Sequence, residues 1–158
     1  MTLLGMAARL AKAEIRFVVI GGLAMRAQGS TRLTEDLDIC YDPEPENVQR
    51  LASILADWHA YLRGVEPGLP FVMDARTFRT TPVMTLITDH GAIDVMDEVS
   101  GVGGWPSVLA ESDEIAWSGV TVRVLSLRGL IKAKRAAARP KDLAQLPELE
   151  ALLALRNG

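Results

Sequence analysis

Three aspartates carry the chemistry this sequence offers. Asp36 and Asp38 flank Leu37 at the head of the run DLDIC, and Asp94 sits in AIDVM between Ile93 and Val95. Both stretches alternate charged and apolar residues, the period of a strand with two unlike faces. On a strand, residues two apart point to the same side, roughly 7 Å from one another. Two carboxylates so placed repel each other, and a third on a neighbouring strand would add to the repulsion unless a cation stood among them. Oxygen-only ligands favour Mg²⁺ or Mn²⁺ over zinc. Two such ions about 4 Å apart form a clamp for in-line displacement at phosphorus. From spacing alone, a strand end with solvated acids is the other reading of Asp36 and Asp38.

Gly21 and Gly22 form a second element. They separate the β-branched apolar run RFVVI from LAMRAQ, which has helical composition. A glycine turn between a buried strand and a helix lets a phosphate approach free backbone N–H groups. A nucleoside triphosphate at the helix end, with metal on the carboxylates, would be held for phosphoryl transfer. A plain tight turn is the alternative.

The elements that must position these residues follow from periodicity. The expected order is a helix over 2–13, a strand over 16–20, the glycine turn with its short helix, and a strand over 36–41. A helix over 48–62 follows, then a hairpin of strands at 82–88 and 92–96 turning at 89–91. The stretch 100–104 reads as loop, 105–111 as a short helix, and 119–125 as a strand with edge-like alternation. Helices over 126–138 and 140–156 close the chain. Mixed strands and helices with a hairpin predict an α/β (α+β) fold, a mixed twisted sheet flanked by helices. At 158 residues, one domain is expected over 1–158, with the helices of 126–156 packed on its core.

Composition removes several function classes. The net charge of −3 argues against a protein that coats nucleic acid. One cysteine, Cys40, leaves no internal disulfide and no cysteine zinc cluster, and two histidines, His59 and His90, offer little for a histidine-dependent centre. The apolar stretch 17–25 falls short of the ~20 residues of a membrane helix. No basic segment precedes the first apolar residues, so a cytoplasmic protein with no membrane association is expected.

The fuller pattern, Gly-Gly, thirteen residues, Asp-Leu-Asp-Ile, and a later Ile-Asp-Val, resembles the signature of the DNA polymerase β-like nucleotidyltransferase superfamily. The stretches VIGGLAMRAQGSTRLTEDLDI and KRAAARPKDL resemble its minimal branch, related to abortive-infection-type toxin nucleotidyltransferases and their paired systems. The resemblance covers residues 15–97 and 126–146. It implies a palm-like fold in which Asp36 and Asp38 bind both metal ions, Mg²⁺ or Mn²⁺. Asp94 would complete one metal site and help activate the acceptor hydroxyl. The implied activity moves a nucleoside monophosphate from a nucleoside triphosphate to a hydroxyl of RNA, protein or a small molecule, releasing pyrophosphate. The sequence departs from the pattern at Gly22, where serine is frequent, and at Gln145, where an acid is usual. A catalytically weak, antitoxin-type subunit that binds a partner protein is the alternative.

Two cations complete the candidate set. Arg32, in the loop before the acids, has equal claims as a phosphate ligand and as a solvated loop residue. Lys134 falls among Leu127, Leu130, Ile131 and Ala138 on the apolar face of its helix. There it needs an anion or a path to water. The anions expected for it are the three aspartates and a bound triphosphate. Arg128, Lys132, Arg135 and Arg139 form a separate stripe, read as a solvated face in preference to a patch for RNA or a partner.

Overall fold

The structure, a computed structural model, describes residues 1–157. In chain order the elements are α1 (Leu3–Lys12), β1 (Phe17–Ile20), α2 (Gly21–Ala27), β2 (Asp36–Tyr41), α3 (Pro45–Asp57), β3 (Tyr61–Leu62), α4 (Ala75–Thr80) and β4 (Met84–Thr88). Then come β5 (Gly91–Met96), β6 (Glu98–Val99), β7 (Gly103–Gly104), α5 (Trp105–Ala110), β8 (Ser112–Trp117), β9 (Val120–Leu125), α6 (Leu127–Ala137) and α7 (Pro140–Asn157). Seven strands form one mixed sheet in the order β3-β4-β5-β2-β1-β9-β8, and β6 and β7 pair separately. The fold is therefore α/β with a mixed sheet flanked by helices. None of the described helices is long and apolar enough to cross a membrane.

Alternation in the strands sets the two faces of the sheet. Strand β2 runs parallel to β5, with Leu37 opposite Ile93, Asp38 opposite Asp94 and Ile39 opposite Val95. Strand β4 runs antiparallel to β5, bringing Leu86 opposite Ile93 and Met84 opposite Val95. Leu37, Ile39, Ile93, Val95, Met84 and Leu86 are buried together on one face. Because successive side chains alternate, Asp36, Asp38 and Asp94 all project from the other face. Strand β1 is buried throughout, as expected of a strand covered on both sides.

Four readings of local structure are corrected. Helix α3 starts earlier than expected, with Pro45 in its first turn, and ends at Asp57. Trp58 is buried, His59 adopts a left-handed backbone (φ 55°), and the chain turns into β3. The strand over 120–125 is interior, between β1 and β8, and not at an edge. Its alternation reflects Arg123, which donates to Ser112 and Glu114 of β8. Strand β8 itself, SDEIAW, has an acidic composition that hides its strand character. Charges are common on an edge strand because they oppose further pairing. The stretch expected as loop from residue 100 holds β7, whose Gly103 and Gly104 pair with Val99 and Glu98 of β6 just before it. Just after β2, Asp42 is buried and ion-paired to Arg16 at 2.6 Å.

Candidate active site

The parallel register of β2 and β5 places Asp38 beside Asp94, and Asp36 lies one side-chain repeat back on β2. One carboxylate oxygen from each of Asp36, Asp38 and Asp94 lies within 4.8 Å of the other two. All three groups are half-buried, so water screens them only in part.

Asp38 bears most of the electrostatic load. Burial, followed by the negative charge of Asp94 and a hydrogen bond to it, pushes its carboxyl up to about 7. Asp36 adds to the rise, and Arg63 opposes it. Asp38 Oδ1 is buried without a hydrogen-bond partner. A buried carboxylate oxygen with no donor is costly unless a cation or proton takes it. The all-oxygen donor set and this open oxygen fit a hard divalent ion.

The glycines have a specific steric cause. Gly21 adopts a φ of 65°, and a Cβ built there would stand 2.0 Å from Asp38 Oδ2. The carboxylate thus occupies the space a side chain at position 21 would need. At Gly22 a Cβ would meet Thr34 Cβ and Oγ1 at 2.7 Å. Thr34 in turn donates to the Asp36 carbonyl at 3.3 Å, ordering the approach to β2. The departure from serine at position 22 therefore coincides with a threonine that fills the same space. Helix α2 begins at Gly21 itself, so the pair forms its first turn and not a separate loop.

Sequence reasoning missed Arg63. It follows β3, its backbone N–H donates to the Thr85 carbonyl at 3.0 Å, and Nη1 donates to the Leu86 carbonyl at 3.3 Å. Nη2 donates to Asp94 Oδ1 at 2.7 Å, and Nη1 lies 3.9 Å from Asp36 Oδ1. No motif marks it in YLRGVEP. Its signal was the demand for a cation made by three close carboxylates.

Lys134 pairs with none of the three aspartates and does not extend into open water. Its side chain is 18 % exposed, and its ion-pair partner is Asp142 at 3.3 Å. Arg139 pairs with the same carboxylate at 2.6 Å, and the Asp142 side chain is 1 % exposed. Hydrogen bonds from Arg139 and Lys134, opposed by desolvation, hold the Asp142 carboxyl down at about 2. A cleft of about 370 Å³ nevertheless joins these residues to Asp38, with Gly21, Asp38, Met96, Lys134, Arg139 and Asp142 in its walls. Arg32 is turned to α7, where it lies 3.8 Å from Glu148. Much of the basic stripe is internally paired, Lys132 to Glu111 and Arg135 to Glu150. A second cleft of about 450 Å³, lined in part by Tyr41, Phe78, Arg79 and Asp97, contains none of the three aspartates.

No family model and no curated protein matches this chain. Among solved structures it is similar to a proposed nucleotidyltransferase of Thermotoga maritima, with a TM-score of 0.51 and 19 % identity over 97 % of this chain and 89 % of that one. The likeness extends along nearly the whole chain, and it shows that the mixed sheet and its flanking helices are arranged as in that protein.

Proposed function

We propose that this protein is a metal-dependent nucleotidyltransferase. The observation that carries the reading is the convergence of Asp36, Asp38 and Asp94 from two adjacent parallel strands, with one Asp38 oxygen buried and unpartnered. The similarity in fold to a proposed nucleotidyltransferase agrees with it.

Asp36, Asp38 and Asp94 would hold Mg²⁺ or Mn²⁺, which when bound would neutralise charge on the reacting phosphate and orient it. The chain's own groups do the rest. Gly21 leaves room for Asp38 to stand at the start of α2. Lys134 and Arg139 line the cleft beside Asp38 and draw a triphosphate toward it. The acceptor hydroxyl oxygen forms a bond to the α-phosphorus, the bond from that phosphorus to pyrophosphate breaks, and the hydroxyl proton passes to Asp94. RNA, protein and small-molecule hydroxyls are all within this reading.

The ion pair between Arg63 and Asp94 favours a second reading, a catalytically weak subunit that binds a partner protein. Incubation with each α-labelled nucleoside triphosphate, Mg²⁺ or Mn²⁺, and separate RNA and protein pools distinguishes the two. The enzyme reading expects label in one pool and release of pyrophosphate, both lost in Asp94→Asn. Absence of label with every triphosphate, pool and metal favours the second.

A further inference from the structure

Arg63 stands where a metal ligand set would otherwise be free. Its guanidinium uses Asp94 Oδ1 and lies near Asp36 Oδ1, two of the three carboxylates that converge on the candidate metal position. Its Nη1 also donates to the Leu86 carbonyl, and the bond from the Arg63 backbone N–H to the Thr85 carbonyl fixes where the side chain starts. Its side chain is 33 % exposed, so a route to water is open to it. A guanidinium and a divalent ion on the same carboxylates would repel each other across a few ångströms of half-buried protein. Asp94 cannot give its full charge to both.

We propose that Arg63 is the resident counter-cation of the site and competes with the divalent ion for Asp94, so that metal entry requires the guanidinium to leave. The proposal rests on the three aspartates being metal ligands. It makes Arg63 a positioning residue that orders the aspartates in the metal-free protein and sets the metal concentration at which the site fills. Removing the guanidinium removes both a contact that metal entry must break and a repulsion that metal entry must overcome.

The test is Mn²⁺ binding, followed calorimetrically and by the spin resonance of free Mn²⁺, without nucleotide or turnover. Wild type, Arg63→Met and Arg63→Gln are compared, the last keeping a neutral hydrogen-bonding group in case the apolar variant disturbs the sheet edge. Both variants are expected to bind Mn²⁺ about tenfold more tightly than wild type, the scale of one charge-assisted hydrogen bond no longer broken on entry. Equal or weaker Mn²⁺ binding in folded Arg63→Gln overturns the proposal while leaving the metal reading intact. Saturable binding absent from wild type and both variants overturns the metal reading and the proposal with it.

Discussion

Gly21 and Asp38 share one space. A Cβ at position 21 would stand 2.0 Å from Asp38 Oδ2, and the Gly21 backbone is left-handed at φ 65°. The glycine is thus set by the carboxylate beside it as well as by the turn it makes. Gly21→Ala is expected to lose stability on both counts. A left-handed backbone alone costs a non-glycine residue roughly 1–2 kcal/mol. Displacement of Asp38 is expected to weaken metal binding in the same variant. Chemical denaturation and Mn²⁺ titration check the two effects separately. Unchanged stability with unchanged metal affinity contradicts the steric account.

Asp94 is expected to matter for turnover more than for nucleotide affinity. It comes from β5 and lies beside Arg63, whereas the cleft that would take the triphosphate opens at Asp38. Asp94→Asn should lower kcat by a factor on the order of 10² or more, the scale of losing a group that accepts a proton. Triphosphate affinity should change little. Wild-type turnover in the variant means that Asp94 has a structural role only.

Asp142 anchors two cations in the wall of that cleft. Its carboxyl is held at about 2, below its ordinary value near 3.9, chiefly by Arg139. A carboxyl lowered on folding contributes stability that is fully present above its unfolded value and is lost as pH falls toward its folded one. The Asp142 contribution should therefore be intact above about pH 4 and fade as pH falls toward about 2. Asp142→Asn should cost on the order of 2 kcal/mol at neutral pH, since hydrogen bonds to charged groups are worth about 1.5–3 kcal/mol. It should also flatten this part of the stability profile. Denaturation of both proteins across the acid range gives the comparison. A profile as steep in the variant as in wild type assigns the acid sensitivity elsewhere.

Lys134→Met separates the anchoring role from the binding role. Lys134 shares the cleft wall with Asp38, yet its ion-pair partner is Asp142. The proposed function expects weaker triphosphate binding in Lys134→Met. An affinity equal to wild type leaves Lys134 as a structural partner of Asp142. Isothermal titration with a non-reactive triphosphate decides between them.

The sequence made some of this site legible and left the rest to topology. Asp36, Asp38 and Asp94 were readable because alternation with Leu37, Ile39, Ile93 and Val95 fixes which face each occupies, whatever the strand order. That β2 and β5 are parallel neighbours, with Asp38 opposite Asp94, depends on pairing between segments distant in the chain. Arg63 was invisible for the same reason. It belongs to a short edge element whose only local strand residues are Tyr61 and Leu62, and its partner lies two strands away. The helical period places Lys134 on the face of Leu127, Leu130 and Ile131, which are buried, but its anion comes from α7 and not from the sheet, and Ala138 is an exposed left-handed cap past the helix end. Strand β8 escaped because its acidic residues suit an edge and only pairing with β9 makes them a strand.

The central claim is that Asp36, Asp38 and Asp94 form a divalent metal site. The most direct measurement is Mn²⁺ titration of wild type beside Asp36→Asn/Asp38→Asn, with thermal melts of both proteins in the absence of metal. The account predicts saturable binding in wild type and none in the double variant. It also predicts a metal-free variant that melts higher by about 2–4 °C, the shift that about 1 kcal/mol produces in a domain of this size, because like charges have been removed. Mn²⁺ binding of equal affinity in the double variant, or no saturable binding in wild type and Arg63→Gln alike, would contradict it.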